Sequence, residues 1–154
     1  MIYNQKTKIN CASAIFMKKI YLIFLFLVSI PVFSQQSAEK VTLGYACGYG
    51  GSETPVIIKF ANLLHAKEHK QIRALLYSKI PAENFLAVVI SKRLADKKTI
   101  TLTEVELKRI DELYKSTKEV PLCGGCTYYK EIELTKLLNS KENVAETIEY
   151  FFGL

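Results

Sequence analysis

Pro81-Ala-Glu-Asn-Phe-Leu-Ala-Val-Val-Ile-Ser-Lys-Arg-Leu94 is the stretch around which the rest of the chain is read. Ile80-Pro81 opens it, because proline's fixed φ and missing N–H suit the first turn of a helix. Phe85, Leu86, Val89, Ile90 and Leu94 recur at steps of three and four, and Ala87 and Val88 widen the apolar band. A band wider than one face predicts a helix with neighbours on two sides.

Helical signals extend outward in both directions. Upstream, Thr54-Pro55 places an N-cap and a first-turn proline before the apolar face of Val56, Ile57, Phe60, Leu63 and Leu64. Ala66-Lys67 marks a break, and a second helix runs from about 68 to 78 with Ile72, Leu75 and Leu76 inward. Downstream, Thr103-Glu-Val-Glu106 is a capping box opening a helix that ends near Ser116. Residues 118–127 read as a loop, 129–138 as another helix, and Ser140 as the cap of a last helix through Phe152. With little period-two alternation, residues 54–154 are expected to form an all-α domain of short antiparallel helix pairs, arranged as an α-solenoid. Before it, residues 35–53 hold four glycines among tyrosines and are expected to be an irregular segment across the helices, held by Tyr45, Cys47 and Tyr49. No phosphate-loop lysine and no Gly-x-Ser-x-Gly elbow is present there.

One junction carries a family resemblance. Leu75-Leu76-Tyr-Ser-Lys-Ile-Pro81, followed by the central helix to Leu94, is similar to a HEAT-type repeat junction. In that family a Leu-Leu helix end leads through a proline turn into a helix with spaced small and leucine positions. Ala82, Glu83 and Asn84 depart from the aspartate of the turn and the Val-Arg that the family carries. The resemblance covers about residues 75–94 and implies a protein-binding scaffold, since such folds stack to present a concave surface.

The chain's beginning reads as an address. Met17-Lys-Lys, the apolar run Ile20–Val28 and Val32-Phe-Ser34 have the parts of a cleaved signal peptide, with cleavage expected between Ser34 and Gln35. Met17 is expected to be the true start, leaving residues 1–16 as an upstream extension. Four of the 21 basic residues and none of the 15 acidic ones precede residue 35, so the net charge of +6 falls to +2 in the exported part. That removes the electrostatic footprint of a nucleic-acid binder. The expected location is periplasmic or secreted, with no membrane span after cleavage.

An exported chain favours disulfides over thiolate–metal sites. Cys47, Cys123 and Cys126 lie beyond the cleavage point, and pairing Cys47 with either of the others would close a long loop. Such closure is worth about 4 kcal/mol in the chain-entropy model. Cys123-Gly-Gly-Cys126 also has the Cys-x-x-Cys spacing of thiol–disulfide enzymes, although no strand–helix pattern surrounds it. His65 and His69 stand four apart and, with the three cysteines, could supply a tetrahedral metal site. No set of nucleophile, base and oxyanion donors can be assembled. The expectation is therefore an exported, disulfide-stabilised binding or structural module without cofactor or enzymatic activity, directed at a protein partner. Thiol-redox or metal chemistry at Cys47, Cys123 and Cys126 is the alternative.

Overall fold

The structure, a computed structural model, describes residues 40–153. The signal-peptide and upstream-extension readings lie outside the described residues. Helix α1 (Pro55–His65) is followed by α2 (His69–Ala74), a 3-10 turn (Leu75–Tyr77), α3 (Pro81–Asp96) and α4 (Glu104–Tyr114). Strands β1 (Glu119–Gly124) and β2 (Tyr128–Glu133) come next, then α5 (Leu134–Asn139) and α6 (Lys141–Phe152).

Helix α3 is the centre. Every residue from Ala82 to Ser91 is buried, and the helix packs against α1, α2, the 3-10 turn, β1, α5 and α6. A helix so enclosed needs apolar atoms all round, which is what Phe85 to Ile90 supply. Two of its polar exceptions, Glu83 and Asn84, are bonded locally, whereas Ser91 Oγ and Asn84 Oδ1 have no partner among the described residues. Glu83 is 7% exposed and accepts hydrogen bonds from Lys59 Nζ at 2.6 Å and from the Ser78 hydroxyl. Asn84 Nδ2 donates toward the carbonyls of Leu75, Leu76 and Ser78 at 3.0, 3.3 and 3.1 Å. Those carbonyls belong to the end of the preceding helical segment, where intrahelical donors run out.

The helix-end signals act as their chemistry requires, with one exception. Thr103 Oγ1 accepts from the Glu106 N–H, and the Glu106 carboxylate accepts from the Thr103 N–H, completing the capping box. Ser140 Oγ accepts from Asn143 N–H to start α6, and Gly153 ends it in the left-handed conformation. The Ala66-Lys67 break is real, with Lys67 at φ +57°. Thr54 is the exception: it occupies the N-cap of α1, but its hydroxyl donates to the Gly44 carbonyl at 3.2 Å instead of capping.

The all-α expectation is overturned. The fold is mixed, mostly helical with a two-stranded antiparallel sheet. Residues read as loop and as the first turn of a helix pair from Glu119↔Glu133 to Gly124↔Tyr128. The helix expected from Tyr129 begins at Leu134, whose N–H bonds the Lys118 carbonyl at 2.8 Å. The glycine-rich segment then runs parallel to the other edge of β1. Leu43 N–H donates to Pro121 O, and Leu43 O accepts from Cys123 N–H, at 2.8 and 2.9 Å. Gly125 N–H donates to Ala46 O, and Gly48 N–H to Gly125 O, both at 2.8 Å. Pro121 has no N–H to extend this pairing toward residue 41.

Candidate functional site

Four features meet at the end of the molecule formed by residues 43–52 and the hairpin turn. The first is a disulfide between Cys47 and Cys123, whose Cα atoms are 5.6 Å apart across a sequence separation of 76 residues. Backbone pairing on either side holds the two cysteines alongside each other. Gly44 makes the approach possible. A Cβ at that position would overlap the Sγ atoms of both cysteines and the Cys123 carbonyl oxygen, so only glycine fits there.

The second feature is a cleft of about 470 Å³ between this stapled segment and α6. Tyr45, Cys123 and Tyr128 line one side, and Glu142, Asn143, Glu146 and Thr147 the other. Tyr45 crosses between them: its hydroxyl donates to Thr147 Oγ1 at 2.7 Å, while Thr147 donates to the Asn143 carbonyl at 2.7 Å. Burial pushes the Tyr45 phenol well above its ordinary range despite the Thr147 hydrogen bond, and nearby Glu146 adds to the rise. Tyr45 therefore remains a neutral donor at physiological pH. Its ring also packs on Tyr150 and Phe151, at centroid distances of 4.8 and 6.5 Å. Tyr150 itself is pushed up to about 12 by burial and by the Glu53 carboxylate.

The third feature is exposed aromatic surface. Tyr49, Tyr128 and Tyr129 are 94%, 52% and 68% exposed, and the Gly48–Gly125 hydrogen bond sets Tyr49 beside the hairpin turn. This corrects the expectation that Tyr49 holds the segment down; Tyr45 and Cys47 do so. The fourth is Cys126, the free cysteine among the described residues, exposed in the hairpin turn.

The other candidates lie elsewhere. His65 ends α1 and His69 begins α2, so they do not share a helix face. Both line a hollow with Lys67, Leu94, Tyr150, Phe151 and Phe152. Two of the three cysteine thiolates proposed as metal ligands are consumed by the disulfide. Among the described residues no three His, Cys, Asp or Glu side chains are grouped to hold a metal ion.

The cleft offers two carboxylates, aromatic faces and amide and hydroxyl groups, and no lysine, arginine or histidine lines it. Such a lining favours a cationic or donor-rich guest. Sequence reading missed Gly44, Glu142 and Glu146. The i,i+4 spacing of the two glutamates was the available signal for a shared helix face.

The chain matches no family model, and no curated protein or solved structure is detectably similar to it. Among the described residues no helix is long and apolar enough to cross a membrane. The disulfide is compatible with a location outside the reducing cytoplasm.

Proposed function

We propose that this is an exported, non-enzymatic binding module that recognises a protein partner at its stapled end. One observation carries the reading: the disulfide, the mixed acidic–aromatic cleft and the exposed tyrosines occupy the same end of the molecule. Tyrosine supplies large contact area at low entropic cost, and a cross-linked backbone loses little freedom on binding. The carboxylates of Glu142 and Glu146 favour a segment of the partner that carries lysine or arginine. Export rests on the signal-peptide pattern of residues 17–34 and on the disulfide. Nothing in the near-neutral charge of residues 35–154 favours nucleic acid.

Photo-cross-linking in the source cells tests the reading. A photoreactive side chain at Tyr128 is expected to yield a discrete protein adduct, weakened by Glu142→Gln with Glu146→Gln. The same probe at Val105, exposed on α4, is expected to yield none. Equal labelling at both positions, or at neither, contradicts a binding site at the stapled end.

A second reading, thiol chemistry, is favoured by the exposure of Cys126 three residues from a disulfide-bonded cysteine.

A further inference from the structure

The geometry points to an internal disulfide exchange, in which Cys126 displaces Cys47 from Cys123 and opens the staple. Three cysteines fall in one region of the fold: a half-buried disulfide between Cys47 and Cys123, and a free, exposed thiol at Cys126. Two glycines alone separate Cys126, in the hairpin turn, from Cys123 near the end of β1, and Gly125 between them takes φ +56°. A chain reversal brings residues three apart to within about 7 Å, the outer limit of what a disulfide spans. Gly44 covers the disulfide on one side, while Cys123 also borders the open cleft.

The step is redox-neutral. The Cys126 thiolate attacks Cys123 Sγ, a Cys123–Cys126 bond forms, the Cys47–Cys123 bond breaks, and Cys47 leaves as a thiolate that takes up a proton. No external oxidant or reductant enters. Exchange accelerates as pH rises, because the thiolate and not the thiol is the nucleophile.

The exchange leaves the glycine-rich segment attached without its covalent tie. Its remaining anchors include the backbone bonds at Leu43, Gly44, Ala46 and Gly48, the Tyr45–Thr147 hydrogen bond and the packing of Tyr45 on Tyr150 and Phe151. Tyr45 and Gly44 wall the cleft, so the position of the disulfide sets how firmly that wall is held. The exchange itself does not depend on the cleft binding a partner.

Trypsin separates the isomers. Cys47 falls in the peptide Val41–Lys59, whereas Cys123 and Cys126 share Glu119–Lys130. The purified oxidised protein is incubated at a series of pH values without added thiol, quenched in acid, alkylated and digested. The expected result is a Glu119–Lys130 peptide with an internal disulfide, together with alkylated Cys47, appearing faster as pH rises. Cys126→Ser is expected to abolish it, and Cys47→Ser to yield a chain with no free thiol. Retention of the Cys47–Cys123 link alone at every pH overturns the proposal. So does a Cys47–Cys126 product, or two free thiols in Cys47→Ser.

Discussion

At the scale of single residues, the stapled end depends on an atom that is missing. Gly44 has no positive φ to justify glycine; what it avoids is a Cβ overlapping both disulfide sulfurs and a carbonyl oxygen. Gly44→Ala is expected to cost about 1–3 kcal/mol through overpacking. The damage should fall on the disulfide, so alkylation under denaturing, non-reducing conditions should show free thiols rising from one toward three per exported chain. Gly50→Ala is the control, because a Cβ there meets nothing closer than Ser52 Oγ at 3.4 Å. An unchanged thiol count in Gly44→Ala contradicts this assignment. Glu83 and Asn84 show a related logic. They depart from the HEAT-type pattern, and both serve the turn before α3, one anchoring Ser78 and Lys59 and the other engaging three carbonyls. A buried donor that bonds carbonyls at a helix end stabilises by avoiding a desolvation cost.

Elements were legible where their chemistry is local. Proline at a first turn, the Thr103–Glu106 capping box, the Ser140 cap and the Ala66-Lys67 break each depend on neighbours within four residues, and each sits where the pattern put it. The hairpin was not legible, for a physical reason. Tyr128 to Glu131 are exposed on both faces, so β2 lacks the alternation that marks a half-buried strand. In β1, Pro121 and Gly124 read as loop residues, and the strand is held by partners 80 residues upstream and a few residues downstream. Long-range pairing of this kind leaves no local signal. The capping box also makes a pH prediction. Burial would raise the Glu106 carboxyl, but the Thr103 N–H and hydroxyl and the Arg73 guanidinium together hold it below its ordinary value of 4.5. A depressed folded pKa gives stability that is present above the unfolded value and is lost as pH falls through the folded one. Urea midpoints should therefore drop less steeply below about pH 4.5 in Glu106→Gln than in the unmodified chain, since glutamine retains the capping geometry. Parallel acid slopes would contradict the assignment.

For the whole molecule, the helical core and the stapled end have different sources of order. Around α3 the order is hydrophobic burial, and Phe60, Phe85, Leu86, Ile90, Leu134 and Leu137 are almost fully enclosed. At the other end, Leu43 and Tyr45 are the apolar anchors of residues 43–52, and the rest of the segment is held by backbone pairing and the disulfide. The cysteine set as a whole was legible, but which cysteine joins Cys47 was decided by the hairpin, whose register carries Cys123 alongside Leu43 and leaves Cys126 in the turn. The residues of the candidate metal site are kept apart by a local feature, the break at Lys67, which divides the two histidines between helices. The disulfide takes Cys47 and Cys123. The proposal of an exported module with a covalently held binding end accommodates these observations. Its most direct test is the intact mass of the chain recovered from outside the cytoplasm, acid-quenched and alkylated in denaturant with and without reductant. The account predicts a chain beginning at Gln35 that takes one alkyl group without reductant and three with it. Three alkyl groups without reductant, or a chain retained in the cytoplasm with its leader intact, would contradict it.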